Sequence, residues 1–404
     1  MHQGCLRPLL ISAGLLAIVV LVAVLLNRGT VSLLVANTQA MGEGAEIAGA
    51  MQQPEDVLDF IAAYPEHVSL VAFDLGDEAE GIFYQPDVRR PVAGLPRLLV
   101  LAEYLRQVQA GEINPQESIP LDTLEAAFLP GADAAGHARM MADLRETNPE
   151  RATLGQIVEA MMQHNSAAAT DLLIAQLGRP AMAALPERFG MDALDPPLPT
   201  AGLFLSWHSS TGATAAERLA ALEAAPPDVR DDEVYHLAER YRRDSTFRRH
   251  ERERLTTRGS SLSLPDQRAF AEQTYPRGTA RAYAALLALA LTDSLLAPGL
   301  GGAMRPYLER ALPDSVGTAL EVIGSEAGSF PGLISFAGYA TRDDLPQGRV
   351  VVLLMDELPF SVFYHLLQTG LDQGFLLQLL GDDAFFERAR QHLRRPEQTS
   401  EASF

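Results

Sequence analysis

The amino-acid sequence predicts an α+β fold in which an antiparallel sheet is formed by the N- and C-terminal parts of the globular domain. Helices flank this sheet, a mainly helical lobe completes the domain, and a membrane helix precedes it. Three observations carry the prediction: β-rich segments lie near both ends, the middle repeats apolar residues at helical spacing, and no long Gly-, Ser- or Pro-rich run interrupts Pro54 to about Arg395. Composition agrees, because 47% hydrophobic residues in a chain of 404 suffice for a large core.

The charge narrows the function. A formal net charge of −20 disfavours nucleic acid and anionic lipid headgroups, which need clustered positive charge. All 32 basic residues are Arg, so a lysine base, a Schiff base and a phosphate-loop lysine are excluded. Cys5 is the sole cysteine, which rules out an internal disulfide and a cysteine zinc cluster, and the nine His form no HExxH motif. No metal and no cofactor are expected.

At the N terminus an uncharged run from Leu9 to Leu26, 18 residues, is bounded by Arg7 and Arg28. As a helix it measures about 27 Å, close to a bilayer's hydrocarbon thickness. Residues 1–28 therefore read as a membrane anchor or uncleaved signal; a cleaved signal peptide, with small residues at Ala36 and Ala40, is the competing reading. Residues 29–53 are small and polar with little periodicity and read as a tether, residues 54–395 as the domain, and 396–404 as a tail.

Within the domain, Val68 to Leu75 and Gly81 to Gln85 read as a hairpin. Leu333 to Thr341 and Arg349 to Met355 form a second strand pair, joined by the turn-rich Arg342 to Gly348. Helical patterns run over Pro96 to Ala110, Leu154 to Met162, Ala169 to Leu177 and Thr279 to Leu291. The charge-dense stretch from Asp228 to Arg258 spaces acidic and basic residues three or four apart, as on an exposed helix with paired charges; a partner-docking helix is the alternative.

Four segments, in order, resemble the serine β-lactamase and penicillin-binding superfamily, in particular its class A-like serine hydrolases. They are Pro91 to Leu121 (PVAGLPRLLVLAEYL…), Phe128 to Leu144 (FLPGADAAGHARMMADL), Thr153 to Gly178 (TLGQIVEAMMQHNSAAATDLLIAQLG) and Gly324 to Thr341 (GSEAGSFPGLISFAGYAT). The resemblance implies a β-lactamase/transpeptidase-like fold. It also implies three motif positions: Ser-x-x-Lys, whose Ser attacks an acyl carbonyl, Ser-Asp-Asn on the opposite wall, and Lys-Thr/Ser-Gly on a strand, whose Lys attracts the substrate carboxylate.

Here the nucleophile position falls on Gly94 and its Lys on Arg97; the second motif falls on Asn165, Ser166 and Ala167; the third on Glu326, Ala327 and Gly328, followed by Ser329. Gly94 cannot form an acyl-enzyme, and Arg97 stays protonated and cannot act as a base. Glu326 would repel a substrate carboxylate by on the order of 4 kcal/mol at 4 Å and an effective dielectric near 20. No Glu occurs between Gly190 and Ala215 to serve as the deacylating base of some class A members.

These replacements predict an extracytoplasmic, single-pass, inner-membrane-tethered pseudoenzyme of the bacterial envelope. Its partner would be an envelope protein or a peptidoglycan-related ligand. The alternative is an active serine hydrolase with a relocated nucleophile, for which Ser166, Ser329 and the Ser209-Ser210 pair after His208 are candidates, with His137 or His164 as bases; each of these also reads as an ordinary capping, turn or structural residue. Arg97 and Glu326 either compensate each other across the old active site or point to separate surroundings.

Overall fold

The computed structural model describes residues 28–208, 214–258, 262–295, 298–310 and 320–394. Its main sheet has six strands, β1 (Val68–Asp74), β2 (Ile82–Tyr84), β3 (Glu309–Arg310), β4 (Val322–Phe330), β5 (Leu333–Arg342) and β6 (Leu345–Met355), in the spatial order β2-β1-β6-β5-β4-β3. Every pairing is antiparallel, and β1 sits against β6 from Val68 opposite Met355 to Asp74 opposite Arg349. The two ends of the domain thus share one sheet, as the sequence predicts.

Alternation along the strands assigns each face. Val71, Phe73, Val350, Val352 and Leu354 face the helices Pro96–Gln109, Leu154–His164 and Ala280–Leu291. Val68, Leu70, Ala72, Val351, Leu353 and Met355 face Pro54–Ala63, Phe360–Thr369, Leu371–Gly381 and Asp383–Leu393. The central strands β1 and β6 are therefore apolar on both sides, which explains their near-continuous hydrophobic sequence. The helical lobe, from Leu121 to Thr274, carries its own smaller clusters around Trp207 and Tyr241.

Two expectations need correction or completion. Residues 29–53, expected as a tether with little periodicity, hold two helices, Arg28–Gly42 and Ala45–Ala50. They dock on the domain, with Ala40, Ala48 and Met51 buried, Asn37 Oδ1 accepting from Leu264 N at 2.8 Å, and Ser361 Oγ donating to Met41 O. The run Leu9–Leu26 lies outside the described residues; among those described, no helix is long and apolar enough to cross a membrane.

The charge-dense stretch forms two helices, Pro227–Arg243 and Ser245–Arg258. Pairs at the expected spacing occur, Arg242 with Glu239 at 2.6 Å and Arg254 with Glu251 at 2.8 Å. Arg252 instead turns inward, donating to Tyr241 Oη at 3.0 Å and Phe128 O at 2.9 Å, so this region is part of the lobe's packing.

Candidate functional site

The site begins at the turn before the helix Pro96–Gln109. Pro96 at the helix start has no N–H to leave unsatisfied, and the turn is held by Val92 N donating to Pro276 O at 2.9 Å and Ala93 N donating to the buried Ser335 Oγ at 3.1 Å. Gly94 then takes φ +82°, a left-handed conformation that glycine adopts without penalty. A Cβ at this position would lie 2.7 Å from Ala327 O and 2.9 Å from Gly328 Cα. A Cβ at Gly328 would in turn lie 2.3 Å from Ala93 O. The two glycines let the turn and strand β4 touch backbone to backbone, at the position to which the resemblance assigns the nucleophile.

Register places Glu326 and Gly328 on the same face of β4, opposite Ala337 and Ser335 of β5. Glu326 is 1% exposed. Arg97, in the first turn of its helix, donates from Nε to Glu326 Oε1 at 2.9 Å, pairs with the same oxygen through Nη2, and donates from Nη2 to Ala327 O at 2.9 Å. The compensating pair expected from the sequence is formed.

A cleft of about 430 Å³ opens beside this corner, lined by Gly94, Arg97, Asn165, Ala167, Gly328 and Ser329 among others. Glu326 itself is not on the lining; it lies behind Arg97. Residues 71 and 161 positions apart in sequence are brought to one place by the fold. Asn165 ends the helix Leu154–His164 with φ +55°, and Ser166 caps the next helix, Ala167–Leu177, its Oγ accepting from Ala169 N at 3.3 Å. Ser166 is fully buried, which matches the capping role. Ser329 is exposed near the β4–β5 turn, opposite Ile334.

The histidines do not attend these serines. His137 stacks on Phe128 with ring centroids 4.0 Å apart and approaches Glu125 at 3.3 Å; burial pushes its pKa down. His164 Nε2 lies 2.8 Å from Asp143 Oδ2. His208 bonds Phe204 O through Nδ1 at 2.9 Å, and burial lowers its pKa too. Ser209 and Ser210 lie outside the described residues.

Three carboxylates at or beside the cleft are not among the residues singled out from the sequence. Asp171 accepts from Thr200 N at 2.7 Å and Ala201 N at 2.8 Å, pinning the lip that carries Pro197 and Leu198; burial pushes its carboxyl up to about 7. Asp133 caps the helix Ala134–Thr147, accepting from Gly136 N at 3.0 Å, and lines the cleft, with its pKa raised by burial. Asp372 lines it from the first turn of Leu371–Gly381. Asp133 stands just before a helical run, a capping signal legible in the sequence; Asp171 and Asp372 offer none. Among the described residues no group of His, Cys, Asp and Glu is arranged to hold a metal.

Known proteins agree with this geometry. The profile of the β-lactamase enzyme family matches residues 52–224, which include Gly94, Arg97 and Asn165–Ala167. A β-lactamase from Sphaerobacter thermophilus superposes with a TM-score of 0.50 at 17% identity, covering 80% of this chain and 96% of its own. One from Xanthomonas campestris gives 0.50 at 12% identity, covering 82% and 98%. No curated protein sequence matches. The sheet joining both chain ends and the structures that superpose on it give this chain a β-lactamase-like fold, and the segment matched by the profile supports a serine β-lactamase-like superfamily.

Proposed function

We propose that this protein is a non-catalytic member of its superfamily, a binding or scaffolding domain held at the bacterial inner membrane through Leu9–Leu26 and working on the extracytoplasmic side. One observation carries the non-catalytic reading: the nucleophile position is a glycine whose missing Cβ is the space that Ala327 O and Gly328 occupy. The Lys position beside it holds an arginine already bonded to Glu326 and Ala327 O. Acyl transfer needs a nucleophile and a neighbouring base; Gly94 supplies neither atom and Arg97 cannot give up its proton. Loss of a nucleophile alone costs on the order of 10⁶ in rate in subtilisin. The envelope placement rests on the 18-residue apolar run and the acidic chain beyond it.

Nothing about Ser166 or Ser329 favours the relocated nucleophile, since the first is a buried cap and the second stands at a strand turn. The test is hydrolysis of a chromogenic cephalosporin and of a D-alanyl-D-alanine peptide by the purified full chain. The expected result is no turnover above buffer. Turnover abolished by Ser166→Ala or Ser329→Ala would establish a relocated nucleophile instead.

A further inference from the structure

The helix Arg28–Gly42 has a side that the domain does not cover. Seven large hydrophobic side chains are exposed among the described residues, and three of them, Leu34 at 67%, Val35 at 49% and Met41 at 41%, belong to this one helix. The helix is nonetheless fixed in place: Ala40 is buried, and Asn37 Oδ1 accepts from Leu264 N at the start of the helix Leu264–Thr274. Single exposed apolar residues are ordinary, whereas several on one helix beside a longer apolar run point to an apolar neighbour.

The chain itself says what that neighbour is. Only Asn27 separates the helix from the apolar run Leu9–Leu26. At 1.5 Å per residue, Leu34 stands about 12 Å beyond the end of that run. The polar layer outside the hydrocarbon is roughly 5 to 8 Å deep, so a helix inclined to the bilayer normal keeps Leu34 and Val35 within reach of it.

Charge agrees with this placement. The first acidic residue of the chain is Glu43, so none of the 52 carboxylates lies on this helix or before it, and the helix carries a single charge, Arg28, at the end nearest the run. In a chain of net charge −20, this stretch is free of the groups that headgroup phosphates repel and acyl chains exclude. Thr38, one turn on from Leu34, donates its hydroxyl to Leu34 O at 2.8 Å, so its polar group is satisfied without water.

We propose that this side of Arg28–Gly42 lies in the interfacial layer of the bilayer, with Leu34 and Val35 reaching the edge of the acyl chains, so that the domain is held at one angle to the membrane. The inference rests on the reading of Leu9–Leu26 as a membrane anchor and adds a second, surface contact made by a helix that is docked on the domain.

The test uses the full chain in phosphatidylcholine nanodiscs. Cys5→Ser removes the sole cysteine, and single cysteines then carry a nitroxide in Leu34→Cys, Val35→Cys, Val19→Cys within the apolar run, and Glu146→Cys, an exposed site on the helix Ala134–Thr147. Collisions with oxygen, which concentrates among acyl chains, and with a water-soluble nickel chelate report where each label sits, and thermal unfolding reports whether each variant is folded. The labels at positions 34 and 35 should lose most of their nickel collisions and gain oxygen collisions, that at 19 should do so more strongly, and that at 146 should keep its nickel collisions.

The proposal is overturned if, with the label at 19 among acyl chains, those at 34 and 35 meet nickel as freely as the one at 146. It is equally overturned if they are shielded from both reagents, which would mean that protein covers the helix. A label at 19 that meets nickel freely would overturn the anchor reading and this inference with it, so the two failures are distinguishable. The unlabelled wild type gives a check that needs no variant: a lipid with a diazirine at the top of its acyl chain should crosslink within Arg28–Gly42, and crosslinks confined to residues before Arg28 would overturn the proposal.

Discussion

Arg90 and Arg97 stand seven residues apart and each meets a buried carboxylate, yet their surroundings differ. Arg90 pairs with Asp356 and also donates to Ser69 Oγ at 2.8 Å, Glu66 O at 2.7 Å and Val68 O at 3.1 Å. Its charge is spread over several acceptors, and Asp356 is still pushed above its ordinary pKa by burial. Arg97 has Glu326 and one carbonyl, Ala327 O. The first pair is one member of a network that ties the chain before β1 to the end of β6. The second stands at the cleft, where Glu326 is the carboxylate bonded to Arg97. Removing one partner should therefore cost more at the cleft than at the network.

The largest expected effect follows directly. Glu326→Gln should destabilise the folded chain by about 3 kcal/mol, because Arg97, only partly exposed, is left beside a neutral group. Asp356→Asn should cost only about 1 to 2 kcal/mol, since Arg90 keeps three other acceptors. Replacing both members of the cleft pair, Arg97→Met with Glu326→Leu, should restore most of the loss, as well-packed apolar residues can stand in for a buried ion pair. Urea unfolding of the four proteins checks the order; equal costs for the two single carboxylate variants would break the comparison.

Gly94→Ser is expected next in size, at roughly 2 to 3 kcal/mol. Part comes from the left-handed φ of +82° and part from a Cβ only 2.7 Å from Ala327 O. A serine restored here should not become an acylating residue, because the strand occupies its place. A stable, unshifted Gly94→Ser variant would mean that the turn and β4 can separate.

The smallest effect sharpens the other side of the comparison. Glu272 lies near Asp356 and Glu357, and burial followed by these two like charges pushes its carboxyl up to about 7. A raised carboxyl pKa means that the folded state holds its proton more tightly than the unfolded chain does. Between the ordinary value of 4.5 and about 7 the folded state then binds more protons, so this group's contribution to stability falls as pH rises. Glu272→Gln should flatten that part of the stability profile measured by denaturant unfolding across pH 4 to 8, whereas an identical slope in the variant would exclude Glu272 as its source.

How much of this was legible in the sequence depends on whether the signal was local. β1, β2, β5 and β6 announce themselves by β-rich runs, and the helices Pro96–Gln109 and Ala280–Leu291 by their apolar spacing. β4 is different: after Val322 and Ile323 it reads GSEAGSF, with no β-branched residue, and only the resemblance marks this part as a strand, since its extended form comes from pairing with β5. The helix Arg28–Gly42 was missed because its sequence lacks a clear stripe, leaving Leu34 and Val35 exposed; its docking is a tertiary effect. Gly94, Arg97, Asn165 and Gly328 are far apart in sequence and line one cleft only through the fold. Ser335, Asp171 and Asp372 were not legible, each being one polar residue whose role is set by a partner far along the chain.

The central claim is that the cleft has lost acyl chemistry at the backbone level and not merely a side chain. Intact-mass measurement of the full chain after incubation with a fluorophosphonate and with a labelled penicillin tests it most directly, with peptide mapping of any adduct. The account predicts unmodified protein from the wild type and from Gly94→Ser. An adduct mapped to Ser166 or Ser329 in the wild type, or to residue 94 in the variant, would contradict it.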